Sequence, residues 1–396
     1  MAPCGVERLA RIPSRRAAPH PRTPSHIPLK IALVIERFEP GAGGVEGVAW
    51  TVAHGLAEAG EEVHVIARRV APSQRVELHP VDVPTAWQPL RVLAFSRAAH
   101  ARATALGCDV VHSFSRTRHQ DVYRAGGGSH ADYLRQNHGP AGRALRQLSP
   151  RHRVLLGMER RIFADPRQTI LCGSPMVKAQ IAARYRVADE RFVVIPNGVD
   201  VDRFHPGRRS SEGARLRVDL GVGDGPVWVL VGSGLHRKGL DTALLALARG
   251  GPRDAELWVA GKDRPDRWRS RAANLGVGAR VRFLGTRSDM ESVYSAADAL
   301  ILPTRYDAFA NATLEAAASG LPVLTSSTNG ASELLAPGAI VVEDPEDVEG
   351  FAAGLDELGD PARRSELGRA GRAIALGQSW LAHVAALRRL YRRIAA

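Results

Sequence analysis

Val227-Trp228-Val229-Leu230-Val231 runs directly into Gly232-Ser233-Gly234, and Leu235-His236-Arg237-Lys238-Gly239 leads from that loop into Leu240 to Arg249. Five consecutive apolar residues closed by glycine read as a strand buried on both faces, the pattern of a parallel sheet. Leu240 to Arg249 reads as the helix that follows. A strand, a glycine loop and a helix form the opening unit of a doubly wound α/β domain, whose ligands bind at the carboxyl ends of the strands. Further strands are predicted at Glu256 to Ala260, Arg280 to Leu284, Ala299 to Leu302 and Pro322 to Thr325, with helices between them.

Upstream, the same pattern has already occurred once. Ile31-Ala32-Leu33-Val34-Ile35 is a buried-strand run, Pro40-Gly41-Ala42-Gly43-Gly44 the loop, and about Val45 to Ala59 an amphipathic helix ended by Gly60. Glu62-Val63-His64-Val65-Ile66 restarts a strand, and others follow at Val110 to His112 and Thr169 to Cys172. Two restarts in 396 residues give two domains, as the length itself suggests. The expected division is a basic tail at 1–28, a first Rossmann-like domain at 29–205, a second at 206–375, and a terminal helix at 376–396 packing back on the first. The polar stretch Pro206 to Glu212, just after Pro196-Asn197-Gly198-Val199-Asp200, marks the break. A ligand is expected in the gap between the two sheets.

Composition narrows the function classes. No run reaches the 18 or more apolar residues of a membrane span, and residues 1–28 are basic and Pro-rich without the apolar core of a secretory signal. Cys4, Cys108 and Cys172 are scattered with no CxxC pair, and the fourteen histidines form neither HxxxH nor HExxH, which argues against disulfides and a zinc site. A cytoplasmic setting is expected. The net charge of +13 fits either a polyanionic partner (nucleic acid, anionic lipid, a phosphorylated substrate) or an arginine-rich composition as such.

Four motifs, in order, then carry a resemblance: Gly232 to Gly239; Ala296-Ala297-Asp298 before a strand; Asp307-Ala308-Phe309-Ala310-Asn311-Ala312-Thr313-Leu314-Glu315-Ala316; and Gly320-Leu321-Pro322-Val323. Together they resemble family 4 glycosyltransferases, most closely the lipopolysaccharide core glucosyltransferase group. The likeness spans about residues 29 to 390. It implies a GT-B fold, two Rossmann-like domains facing across a cleft, and retaining transfer of a hexose from a nucleotide sugar. UDP-glucose is the donor it favours, with a glycolipid or lipopolysaccharide-core-type acceptor; the alternative within the same fold is GDP-mannose or UDP-N-acetylglucosamine with a small-molecule acceptor. It implies neither a metal nor a cofactor, because cations and helix dipoles stand where other transferases use a divalent ion.

Such chemistry needs charge compensation for a departing diphosphate. Arg237 and Lys238 supply adjacent cations after a strand-end loop, the arginine as a bidentate clamp and the lysine as a point charge. Their contacts strengthen as the leaving group gains charge. Glu315, near a helix start, is suited to both ribose hydroxyls. Asp307 stands where the family has a glutamate; the resemblance turns it toward the sugar or phosphates. Gly234, Phe309, Ala310, Asn311, Ala312 and Thr313 are expected to bring backbone N–H groups and a helix N-terminus to the phosphates. Gly43 and Gly44 are expected to let backbone approach the donor or acceptor from the first domain. In Asp121-Val122-Tyr123-Arg124-Ala125-Gly126-Gly127-Gly128-Ser129-His130, Gly127 replaces an aspartate common in the family, leaving His130, beyond a flexible glycine run, as the polar residue expected to hydrogen-bond a sugar hydroxyl in the catalytic site. A protein nucleophile is not implied; the donor phosphate itself takes the acceptor proton.

From Ala141 to Phe163, Arg143, Arg146, Arg151, His152, Arg153, Arg160 and Arg161 face one acid, Glu159, with Leu145, Leu148, Val154, Leu155, Met158 and Ile162 between them; Pro150 is expected to split this helix. A basic amphipathic stretch is attracted to anionic lipid, which would make the enzyme peripheral on the inner membrane face. A solvated basic face over a core-packed one is the alternative. Three other readings fit less well. A silent GT-B scaffold need not keep Arg237, Lys238 and Glu315; a nucleic-acid binder would show a helix-turn-helix, zinc finger or aromatic platform; a phosphorylase would show a pyridoxal lysine context.

Overall fold

The computed structural model describes residues 27–40, 44–84, 86–137 and 139–396. Most of the basic tail, and Gly43 of the first glycine loop, fall outside those residues.

The first domain is a seven-stranded parallel sheet in the order β3-β2-β1-β4-β5-β6-β7. Its strands are β1 (Lys30–Phe38), β2 (Glu62–Val70), β3 (Glu77–Pro80), β4 (Val110–Ser113), β5 (Val122–Arg124), β6 (Thr169–Cys172) and β7 (Phe192–Val194). Helices α1 (Gly44–Glu58), α2 (Gln88–Leu106), α3 (His130–Asn137), α4 (Pro140–Leu148), α5 (Pro150–Ala164) and α6 (Pro175–Tyr185) cover it. The predicted break of the basic helix is present: α4 ends at Leu148 and α5 starts at Pro150, where the ring occupies a first-turn position that needs no N–H. Ser174 starts α6 by accepting the Val177 N–H, again with proline next.

In the second domain the order is β10-β9-β8-β11-β12-β13, also parallel throughout. Its strands are β8 (Val227–Val231), β9 (Glu256–Ala260), β10 (Val281–Gly285), β11 (Ala299–Leu302), β12 (Val323–Ser326) and β13 (Ala339–Val342). Around them lie α7 (Ala214–Asp219), α8 (Leu240–Arg249), α9 (Asp266–Asn274), α10 (Met290–Ala296), α11 (Asn311–Ala318), α12 (Ser332–Leu335), α13 (Val348–Glu357) and α14 (Pro361–Leu376). Trp228 and Trp258 are fully buried on paired strands and anchor this core with Leu244, Leu314 and Phe351. Each fully buried side chain of that size stabilises by about 1.5–3 kcal/mol.

The last helix, α15 (Trp380–Ala395), leaves the second domain. Its Val384, Leu387, Leu390 and Tyr391 join the core formed by β1 and α1 of the first. Arg388 reaches the buried Glu61 at 2.6 Å. The two crossings between domains lie side by side: Val199 bridges Ser379, and a Cβ on Gly198 would fall 2.7 Å from the Trp380 backbone. Only glycine lets the strands of this hinge approach so closely.

Candidate active site

Both sheets point their carboxyl ends at a common cleft of about 1350 Å³. Its second-domain wall is built from the loop after β8. Gly232 has φ +137° and Gly239 φ +76°, and a Cβ on Gly239 would sit 1.8 Å from the Pro303 carbonyl oxygen. These turns fold Arg237 and Lys238 against the segment before α11. The Asp307 Oδ2 atom accepts from Arg237 and from Lys238, each at 2.8 Å. Burial would raise the Asp307 carboxyl, but Lys238 and Arg237 outweigh it and hold the group down at about 2. Asp307 is thus ionised, and the trio carries one net positive charge on a rigid frame. Arg237 is fixed further by the carbonyls of Tyr306 and Ser233.

Glu315, in the second turn of α11, also lines the cleft. Its Oε2 accepts from the Tyr294 hydroxyl at 2.9 Å, and burial raises its pKa. A half-desolvated carboxylate with one oxygen committed is suited to hydrogen-bond neutral hydroxyls.

The segment 306–311 also stitches the domains together. Ser174 Oγ donates to the Ala308 carbonyl at 2.9 Å, Tyr306 donates to Gln180 Oε1 at 3.2 Å, and Asn197 Nδ2 donates to Asn311 Oδ1 at 2.6 Å. Gly128, with φ +66°, makes room for Tyr306, whose hydroxyl lies 1.9 Å from where a Cβ would stand.

Arg237, Lys238, Asp307, Phe309, Ala310, Asn311, Ala312, Glu315 and, from the first domain, Gly44 all border the cleft. Three expected residues do not. Gly234 (φ +75°) donates its N–H to Asp263 Oδ2 at 2.8 Å and serves the turn instead. Thr313 is fully buried, with its hydroxyl on the Ala310 carbonyl. His130 is the larger correction. It opens α3 rather than hanging from a flexible glycine run, and its Nε2 meets His152 Nδ1 at 2.8 Å. Burial, with Arg116 and His152 nearby, pushes it down to about 3. A neutral imidazole closed onto α5 is not turned toward a sugar hydroxyl.

The expected row of phosphate-facing N–H groups is also partly occupied. Phe309 donates to Asp307 Oδ1 and Ala310 to Asn329 Oδ1. Asn329 is wholly buried between β12 and α12 and holds this segment in place, a role its position in sequence did not signal. Arg124, at the end of β5, was missed as well. It is 4% exposed, borders the cleft, gives its NH2 to Asn197 Oδ1, and leaves NH1 without a partner among the described residues. Burial lowers it to about 10. An arginine closing a buried three-residue strand just before glycines was the available signal.

Among solved structures, WaaG, a glycosyltransferase involved in lipopolysaccharide biosynthesis, superposes with a TM-score of 0.79 at 24% identity, over 91% of this chain and 99% of that one. HepE of Anabaena in complex with UDP-glucose superposes with a TM-score of 0.71 at 19% identity, over 92% and 100%. The architecture is GT-B. At the level of sequence, residues 42–203 match the family model Glycosyltransferase Family 4 and residues 215–373 match Glycosyl transferases group 1. A probable transglycosylase of Burkholderia thailandensis is 32% identical over 87% of this chain and 92% of its own length. The lipopolysaccharide glucosyltransferase WaaG of Escherichia coli is 29% identical over 66% and 74%. The chain belongs to glycosyltransferase family 4, and it is a transferase enzyme of the GT-B type.

Proposed function

We propose that this enzyme transfers glucose from UDP-glucose to a glycolipid or lipopolysaccharide-core-type acceptor with retention of configuration. The observation that carries the reading is the Arg237–Lys238–Asp307 cluster facing Glu315 in one cleft. Arg237 and Lys238 hold the diphosphate while Asp307 keeps both cations aimed; Glu315 takes the ribose hydroxyls. The bond from the anomeric carbon to the phosphate oxygen breaks as the acceptor oxygen bonds to that carbon on the same face. The acceptor proton passes to the departing phosphate, so no protein base is required. Arg237 and Lys238 supply the charge compensation that makes the step metal-independent. The names of the relatives support the donor and acceptor: a lipopolysaccharide glucosyltransferase, and a neighbour bound to UDP-glucose.

A peripheral, inner-face location fits α4 and α5. Leu145 and Leu148 are 71% and 74% exposed, on a helix whose neighbours include Arg146, Arg151 and Arg153. The side chain of Arg143 lies outside the described residues. None of the helices among the described residues is long and apolar enough to cross a membrane.

The test is a panel of nucleotide sugars scored by the rise in melting temperature and by nucleotide release. UDP-glucose should give the largest response, and Glu315→Ala and Lys238→Ala should each abolish it. Full activity in either variant, or a stronger response to GDP-mannose or UDP-N-acetylglucosamine, overturns the assignment.

A further inference from the structure

The edge of the first sheet farthest from β7 carries a group of side chains that the transfer reaction does not use. In the parallel pairing of β2 with β3, His64 stands opposite Glu77 and Ile66 opposite His79. Residues two apart on a strand share a face, so His64, Glu77 and His79 all project from the same side. They lie on β3 and on the amino-terminal half of β2 that pairs with it, and none of them borders the cleft. His64 and His79 are buried (2% and 7% exposed), whereas Glu77 reaches solvent.

We propose that His64, Glu77 and His79 bind one divalent transition-metal ion of the Zn²⁺, Co²⁺ or Ni²⁺ type. His64 Nδ1 and His79 Nε2 are 2.9 Å apart, and Glu77 carboxylate oxygens lie 3.3 Å from the first and 3.4 Å from the second. Ligands at about 2.0–2.1 Å around a tetrahedral ion are separated by about 3.3 Å, so little rearrangement would bring these three atoms onto one ion. Two imidazoles and a carboxylate form a donor set typical of such metals, with the fourth position left to water.

The surroundings orient the ligands. His64 Nε2 meets Glu62 Oε1 at 2.8 Å, and an imidazole that donates Nε2–H to a carboxylate presents a bare Nδ1 on its other side. Lys30 and Arg102 are the cations near the cluster, and Glu62 and Glu77 balance their charge. Without an ion, the same side chains would be a His–His hydrogen bond on a charged edge strand, a device that blocks edge pairing. Binding distinguishes the two states.

The experiment uses untagged full-length protein, stripped with a chelator and titrated with Co²⁺ alone while visible absorption and melting temperature are followed. One equivalent should bind, with d–d bands of tetrahedral intensity and a raised melting temperature. Glu77→Gln removes a charged direct ligand and should weaken Co²⁺ by at least about 10–100-fold, the range for losing an outer-shell partner alone. His79→Asn should abolish the bands. The metal-free melting temperature of Glu77→Gln should equal that of the wild type, which separates ligation from folding, and its transfer activity should be unchanged. No Co²⁺ binding by the wild-type protein overturns the site, and so do bands retained undiminished in both variants.

Discussion

The two walls of the cleft are made differently. On the second-domain side, Arg237 and Lys238 stand on the turn after β8 and are locked through Asp307, which lies in the segment before α11. On the first-domain side, the lining is glycine-rich, with Gly44, Gly126 and Gly127, and its ionic groups are the Arg37–Glu46 pair and the buried, half-satisfied Arg124. One wall holds its charges fixed, as the proposed diphosphate contact requires; the other leaves room. Preorganised charge is worth most where a transition state always has the same shape. Open backbone suits the partner that differs among members of one fold.

The contrast places the largest expected effect on the second-domain wall. Lys238→Ala should lower kcat by about 10²–10³-fold, the range for losing one preorganised charge donor. Steady-state nucleotide release measures it, and a loss under tenfold would leave the two walls equivalent. Glu315→Gln should act on binding more than on chemistry, raising the donor KM by about 10–100-fold for one or two weakened hydrogen bonds to a charged group. An equal loss in kcat would place Glu315 in the chemical step instead.

Gly128→Ala probes the seam between the walls. A Cβ there meets the Tyr306 hydroxyl at 1.9 Å with φ +66°, so the substitution should destabilise by more than about 1 kcal/mol and displace Tyr306. Melting curves should show it, together with weaker donor binding; Tyr306→Phe, which keeps most of the shape, should do less.

His383 sharpens the hinge side. Burial, with Arg124 nearby, lowers it to about 3, and its Nδ1 meets the Pro196 carbonyl at 2.6 Å. The unfolded chain therefore binds a proton below about pH 6.5 that the folded chain refuses down to about 3. Stability is full above pH 6.5 and falls as the pH drops through that window, by up to about 1.4 kcal/mol per pH unit for this group. His383→Asn should flatten that part of a denaturation-versus-pH curve, and an unchanged slope would count against it. The smallest effect is expected from Leu145→Ser with Leu148→Ser. Both residues are exposed, so stability should stay within about 0.5 kcal/mol while sedimentation with anionic vesicles declines.

Much of the fold was legible. The runs Val227–Val231, Glu256–Ala260 and Ala299–Leu302 are the observed strands to the residue, and Leu240–Arg249 is the observed helix. Apolar runs of four or five bounded by glycine, proline or acid leave little choice. β12 starts one residue later than its run, since Pro322 has no N–H for the ladder. β3, β5, β7 and β13 were passed over: β5 and β7 have only three residues, β3 is half polar, and β13 is a short edge run after a proline and a glycine, so pairing with the neighbouring strand defines each of them. At the site, the order of motifs was enough to single out Arg237, Lys238, Asp307 and Glu315, and folding gathers them around one cleft. Motif order said nothing about which neighbours would face inward, so Thr313 and Gly234 were included and Arg124 and Asn329 overlooked.

The amino-acid sequence by itself determined two parallel-sheet domains, their main strands and the loop ends that carry charge, because these depend on patterns only a few residues long. Only the tertiary structure decided that Asp307 would bind both cations, that His130 would close onto His152, and that His64 and His79 would meet across two strands. Each of those outcomes joins atoms far apart along the chain, and side-chain direction and burial, which select the partner, exist only once the sheets have packed.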